Sequence, residues 1–476
     1  MQQILTVYDD RQLPEAAVKQ ITGEKSYGSV IYKRKRLSER AGELSPGPFA
    51  VLRQDAGGVL SEAGNISRTA KVLHLFSSAV IEDGQEYSLL RQKVQYVNSC
   101  YCVRAGAALA AIVFDSVDEW ERLVSETGSA AELKAQASEF KEIKCGAFFD
   151  ISNKEGFLAY ITGGFEARFF NSLDGDEFEV IKRSADKKKI RAEHEFYYLL
   201  PERMKSWFVQ PYDYREDGDK ACYTMERLHA PDLAIRYVHG SIDERGFRQI
   251  LKLLFRFIGI RQKREVSRDR YFERKKQLYI DKPEKRIADF NSTEVAKSIN
   301  ALMAAGTRYG SVYELFEDYK AVYEKLMAGF QDEFCEVVGH GDLCFSNILY
   351  QSDADMIRLI DPKGAVKEEE LYTDPYYDIA KLSHSVCGNY DFINSALYEI
   401  ALGEDMTLKL VIDNDNGLYT GIFREFVEKA GFDFKFVRLF ECSLFLSMLP
   451  LHQDRPNKVM AFALNAINIL DEVRNG

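Results

Sequence analysis

His340-Gly341-Asp342-Leu343-Cys344-Phe345-Ser346-Asn347-Ile348-Leu349-Tyr350 is followed, fourteen residues after Asn347, by Asp361 in Leu359-Ile360-Asp361-Pro362-Lys363-Gly364. Apolar runs bracket both stretches: Val337-Val338 ahead of the first, Ile348-Leu349-Tyr350 after it, and Met356-Ile357-Arg358-Leu359-Ile360 leading into Asp361. Runs this short read as buried strands. The polar segment Gln351-Ser352-Asp353-Ala354-Asp355 between the last two reads as a hairpin turn. Such a hairpin returns the chain so that Asp361 emerges beside Asn347. Two carboxylates and an amide oxygen on neighbouring loops are hard donors suited to magnesium, which takes one or two protein carboxylates and fills its other positions with water and phosphate. The bland alternative, two solvated loop acids and a capping Asn, leaves the combined spacing without a cause.

Asp342 precedes Asn347 by five residues, the offset of the catalytic loop H-R-D-x-x-x-x-N. Phosphoryl transfer asks a protein mainly for an aligned acceptor and for positive charge on the phosphate oxygens. In such a loop Asp342 accepts the proton of an incoming hydroxyl, and Asn347 and Asp361 bind the metal. His340 is expected to hold the loop through hydrogen bonds rather than to shuttle protons.

These residues resemble the aminoglycoside phosphotransferase and choline kinase superfamily, small-molecule kinases that read H-G-D-x-x-x-x-N followed by I-D. Asp374-Pro375-Tyr376-Tyr377-Asp378-Ile379-Ala380 is similar to that superfamily's D-P-x-x-D-L-A segment. The resemblance runs from about Cys145 to the C-terminus and is specific over residues 337–382. Ile360-Asp361-Pro362-Lys363-Gly364 also resembles the I-D-P-[RK]-G of phosphotransferase-like proteins from bacterial surface-polysaccharide gene sets. The resemblance implies an α+β, bilobal, protein-kinase-like fold preceded by an extra N-terminal α/β domain. It further implies ATP and Mg2+ as cofactors and a small hydroxyl compound as acceptor. Asp378, ahead of an apolar helix, is expected to serve as an N-cap. The chain departs from protein kinases in having Pro362-Lys363 after Asp361 where they have Phe-Gly. Proline stiffens the loop, and Lys363 is either a cation for phosphate or a charged acceptor, or a solvated loop lysine.

A nucleotide lobe needs a strand lysine and a helix glutamate to hold it. Phe178-Glu179-Val180-Ile181-Lys182 reads as a strand, and Ile190 to Leu200 as a helix stopped by Pro201. Glu193 falls on the packed face of that helix with Ile190, Phe196 and Leu200, which makes it the expected partner of Lys182, with Glu195 as the alternative. Lys187-Lys188-Lys189 reads as a solvated turn. No G-x-G-x-x-G precedes Lys182, and Gly163-Gly164 is the nearest glycine pair able to admit phosphate to backbone amides, or is a plain turn. Ala221-Cys222-Tyr223-Thr224-Met225 with Glu226-Arg227-Leu228 resembles the superfamily's hinge. Backbone groups of Glu226 to Leu228 are expected to hold the adenine edge.

At 476 residues the chain is too long for one core. Apolar content of 46% excludes wholesale disorder. A net charge of −11 argues against nucleic-acid or anionic-membrane partners. No apolar run reaches membrane-spanning length, and the start of the chain lacks the form of a signal peptide. Eight cysteines without framework spacing suggest reduced thiols and a cytoplasmic location. Cys100-x-Cys102 lacks the partners that a zinc site requires.

Three regions follow. Residues 1–145 alternate strand-like and helix-like segments, an α/β domain of unassigned role with a possible kinship to degenerate nucleotidyltransferases. Within it Asp9-Asp10 is a metal ligand pair or, by the simpler reading, a solvated strand end. Residues 146–228 fit the N-lobe. Residues 229–476 fit a mainly helical C-lobe with the catalytic loop at 337–364. Tyr271 and Lys275 share a helix face and either line an acceptor pocket or belong to a solvated, salt-bridged face. The expected activity is transfer of the ATP γ-phosphate to a hydroxyl of a sugar, amino alcohol or similar metabolite. The alternative is a catalytically weak, pseudokinase-like binding or scaffold protein. Acceptor identity and oligomeric state are not legible.

Overall fold

The computed structural model describes residues 3–54, 66–163, 171–176 and 178–475. The chain forms two compact units: Met1–Glu166 with Ile235–Ser241, and Ala167–Ala234 with Ile242–Gly476. The expected boundary near residue 145 falls inside the first unit, because Phe148–Asp150 pairs antiparallel with Ala79–Ile81 and carries the chain onward.

The first unit is built on a six-stranded mixed sheet in the order Phe49–Leu52, Ile4–Asp9, Lys71–Phe76, Ala108–Phe114, Tyr101–Ala105, Lys141–Glu142. Ile4–Asp9 lies parallel to both its neighbours. Side chains alternate between faces along a strand, and here both faces are apolar. Leu5, Val7, Val72 and Phe76 pack with Trp120 and Leu123 of the helix Val117–Glu126. Ile4, Tyr8, Leu73 and Leu75 pack with Tyr87, Leu90 and Val94 of Gly84–Val94.

Asp9 and Asp10 close the second strand of this sheet and are buried, not solvated. Asp9 accepts from Arg11 Nε and Nη2 at 2.9 and 2.8 Å and from His74 Nε2 at 3.0 Å. The other ring nitrogen of His74 accepts from Trp120 Nε1 at 3.0 Å. Asp10 accepts from Ser26 Oγ at 2.6 Å and from the Gly28 N–H at 2.8 Å. A Cβ on Gly28 would lie 2.5 Å from Asp10 Oδ2, so only glycine admits this contact. Both acids are thus held by protein donors. Among the described residues no group of three His, Cys, Asp or Glu side chains stands at metal-holding spacing.

The second unit begins with a four-stranded antiparallel sheet in the order Asn171–Gly175, Glu179–Ser184, Lys220–Glu226, Pro211–Asp217. The helix Lys187–Leu199 is inserted after Glu179–Ser184 and capped by Asp186, whose carboxylate accepts from the Lys189 N–H. Lys187 to Lys189 are therefore the first turn of this helix rather than a free turn. Gly163 ends the helix Lys154–Gly163, whereas Gly164 lies outside the described residues.

The rest of the second unit is mainly helical. Its centre is Phe434–Met448, buried on every side from Val437 onward, as expected of a helix surrounded by others. The C-terminal stretch also contains a hairpin, Glu399–Leu402 with Leu408–Val411, which the helical expectation had missed. Tyr271 and Lys275 neither line an open pocket nor face solvent. Lys275 Nζ lies 2.5 Å from Asp374 and within 4.9 Å of the ring centroids of Tyr271, Phe330, Tyr376 and Phe440. Aromatic faces attract a desolvated ammonium, and the carboxylate supplies the counter-charge that burial demands. No described helix is long and apolar enough to cross a membrane.

One buried acid in this unit has no such partner. Neither carboxylate oxygen of Asp391 makes a well-formed hydrogen bond among the described residues, and the nearby Ser385 hydroxyl compensates its burial only in part. Burial, with the Asp232 carboxylate adding to it, raises its pKa from 3.8 to about 7. The folded state therefore holds a proton that the unfolded chain releases. Its contribution to stability is complete below pH 3.8 and is lost as pH rises toward 7, at about 1.36 kcal/mol per pH unit. Asp391→Asn should be more stable than the parent at pH 8 and lose that advantage at pH 4. Urea melts at the two pH values measure it, and a constant difference would contradict this assignment.

Candidate active site

All the side chains singled out around the two loops belong to the second unit. Cys335–Val338 delivers the chain to His340, and the hairpin Ile348–Gln351 with Met356–Leu359 returns it to Asp361. The Ile360 N–H donates to the Asn347 carbonyl at 3.1 Å, which fixes the two loop ends side by side.

Two buried groups shape the first loop. The His340 ring is fully buried and stacks on Phe208 at 5.7 Å. Its Nδ1 accepts from the Asp342 N–H at 3.2 Å, which leaves Nε2 as the donor to the Ile360 carbonyl at 3.0 Å. Burial lowers its pKa, so the ring is neutral and structural. The second group is Asp378, which is not the N-cap, a position held by Tyr376. Its carboxylate instead accepts from the backbone N–H groups of His340 and Gly341 at 3.0 and 2.8 Å, and pairs with buried Arg261 at 3.2 Å. The acid is spent on a distant loop because that loop runs beside the helix start.

Asp342 is one-third exposed, with Oδ1 2.9 Å from Lys381 Nζ. Asn347 Nδ2 donates to the Asp342 carbonyl at 2.8 Å and to its Oδ2 at 3.2 Å. With the amide nitrogen so engaged, the Asn347 oxygen remains as an acceptor. Lys381 follows Asp378 by three residues in the same helix, and sequence reasoning missed it. Burial opposes its charge, but Asp342, with Tyr377 and Cys344 adding to it, raises its pKa.

Lys182 is buried and bridges two acids: Glu193 Oε2 at 2.7 Å and Asp361 Oδ1 at 2.8 Å. Burial works against this ammonium, and the two carboxylates override it, raising its pKa. Glu193 also accepts from Tyr223 OH at 3.2 Å, whereas Glu195 points to His194 and to solvent. Burial raises the Glu193 pKa. For Asp361 the nearby Lys182 overcomes burial and lowers it. The Asp361 side chain is 42% exposed, while Lys182 and Glu193 are 4% and 2% exposed. One carboxylate thus anchors the lysine from behind, and the other stands at the opening.

Asp361 adopts φ +54°, in the left-handed region that few non-glycine residues occupy. Gly364 follows at φ +88°, where a Cβ would come within 2.9 Å of Ala192 on the helix that carries Glu193. The Ala365 N–H donates to the Ala192 carbonyl at 2.9 Å. The Asp-Pro-Lys-Gly turn is therefore docked onto that helix.

At the hinge, Glu226 pairs with Glu179 across the sheet. The Arg227 N–H donates to the Phe178 carbonyl at 2.8 Å, and the Leu228 carbonyl accepts from the Ala230 N–H at 2.8 Å. Glu226 and Leu228 sit at the strand end, but part of the hinge backbone is already engaged.

The donor chemistry fits a hard divalent cation. The Asp361 carboxylate and the Asn347 amide oxygen are anchored on adjacent loop ends, with Asp342 beside them.

No family model and no curated protein matches the chain. Forty-nine chains of solved structures do. A thermostable mutant of the aminoglycoside phosphotransferase APH(4)-Ia, in ternary complex with ADP and hygromycin B, is 11% identical, with 67% of this chain and 97% of that one covered and a TM-score of 0.38. The streptomycin–ATP–APH(2")-IIa ternary complex is 12% identical, with 66% and 90% covered and a TM-score of 0.36. TM-scores this low carry no inference about this chain.

Asp378→Ala should remove the clamp on two backbone N–H groups and strand the Arg261 charge, lowering stability by about 3–5 kcal/mol in urea unfolding. An unchanged midpoint would show that the loop does not depend on this acid.

Proposed function

We propose that the chain is an ATP- and magnesium-dependent phosphotransferase that moves the γ-phosphate of ATP to a hydroxyl of a small molecule such as a sugar or amino alcohol. The observation that carries this reading is the set Lys182–Glu193–Asp361 beside Asp342–Asn347, all within one unit. Asp361 and Asn347 would hold the magnesium ion, which when bound neutralises phosphate charge. Lys182, fixed by Glu193, presents an ammonium toward the phosphates. Asp342 takes the proton from the acceptor hydroxyl as the new P–O bond forms. The bond from the γ-phosphorus to the bridging oxygen breaks, and ADP leaves with that electron pair. His340, Asp378 and Arg261 orient Asp342 and touch no reactant. Glu226 to Leu228 offer the adenine edge those backbone groups that the sheet leaves open.

Asp342→Ala should reduce turnover by roughly 10² to 10⁴, the span for loss of a positioned acid–base group. Its affinity for ATP should persist. Phosphate transfer to a panel of sugars and amino alcohols, followed by mass spectrometry, reads this out. Parent-level turnover in the variant would exclude Asp342 as the base. ATP binding by the parent with no transfer to any alcohol would favour a nucleotide-binding scaffold.

A further inference from the structure

Positive charge gathers around Asp342 in a chain whose formal net charge is −11. Lys363 packs directly against the loop: its N–H donates to the His340 carbonyl at 2.9 Å, and its side chain fills the space over Gly341. A Cβ on Gly341 would lie 2.5 Å from Lys363 Cβ. The Lys363 side chain is nevertheless exposed. Lys282 Nζ donates to Tyr377 OH at 3.0 Å. Tyr377 stands one helical turn before Lys381, which pairs with Asp342. Arg274 shares the buried carboxylate of Glu336 with Arg264 and Arg270, three guanidinium groups on one acid.

Lys381 is paired with Asp342, and Arg264, Arg270 and Arg274 are paired with Glu336. Among the described residues neither Lys282 nor Lys363 has a carboxylate within 4.0 Å. Glu370 lies on the Lys363 side, and its carboxylate accepts from the Val366 N–H at 2.8 Å. Cations crowded this way and left open to solvent favour an incoming anion and disfavour a cationic ligand.

We infer that the acceptor carries an anionic group, a carboxylate or a phosphate, which Lys363 and Lys282 hold beside Asp342 while a hydroxyl of the same molecule is phosphorylated. This rests on the phosphotransfer reading above and adds the charge of the acceptor. Lys182 and the metal ion that Asp361 and Asn347 would hold are counter-charge for the nucleotide's phosphates in the phosphotransfer reading, which leaves the outer lysines for the second substrate.

The test uses the full-length protein with glucose, glucosamine, glucuronate and glucose 6-phosphate as probes of one frame and four charges. Phosphate transfer from ATP and thermal shift are both read for the parent and for Lys282→Met/Lys363→Met. Glucuronate or glucose 6-phosphate should stabilise the parent against heat, and glucose and glucosamine should not. The double variant should lose that stabilisation, and for any anionic acceptor turned over its KM should rise at least tenfold, with a smaller change in the KM for ATP. The carboxylate and phosphate arms decide which anion is preferred. Preference for glucose or glucosamine, no stabilisation by either anion, equal response of parent and variant, or a rise confined to the KM for ATP would each overturn the inference. ATP with magnesium is run in the same samples: stabilisation by it beside any of those failures leaves the phosphotransfer reading standing, whereas no response to it removes both.

Discussion

The second unit is organised around a single buried ammonium. Lys182 comes from the sheet, Glu193 from the helix that follows it, and Asp361 from a turn about 180 residues further along the chain. Stranding that charge without its carboxylates would cost several kcal/mol, so sheet, helix and turn are held to one another by electrostatics as well as by packing. The turn reinforces the arrangement: Gly364 and Ala365 dock on Ala192, next to Glu193. Pairing the lysine with one buried and one half-exposed acid also leaves one carboxylate edge for a ligand.

A second constraint acts on the other loop. Asp378 receives two backbone N–H groups from His340 and Gly341, and Arg261 balances its charge. Neutral His340 ties the same loop to Ile360, the residue before Asp361. The two loops are therefore tied to each other, and the proposed chemistry needs that, because a base and a metal ligand displaced by an ångström lose much of their effect.

Much of this was legible in the sequence, for local reasons. Short apolar runs marked the strands around residues 337, 348 and 357, and the helix period put Glu193 on the packed side with Ile190 and Phe196. What escaped depended on the third dimension. Asp378 looks like an N-cap until the His340 loop is seen beside it. Lys381 lies in an apolar helix with no local sign that it meets Asp342. Lys275 reads as one charge among many in a basic stretch, yet four aromatic rings from distant segments enclose it. Asp9 and Asp10 read as a wet strand end because nothing nearby in sequence announces His74, Ser26 or Gly28 as their partners.

The central claim is that Asp361, with Lys182 and Asn347, forms a metal–nucleotide site. Isothermal titration of ATP into the parent and into Asp361→Ala, each with and without magnesium, tests it most directly. The account predicts binding by the parent that depends on magnesium and is abolished in the variant. Metal-independent binding, or equal affinity in parent and variant, would contradict it.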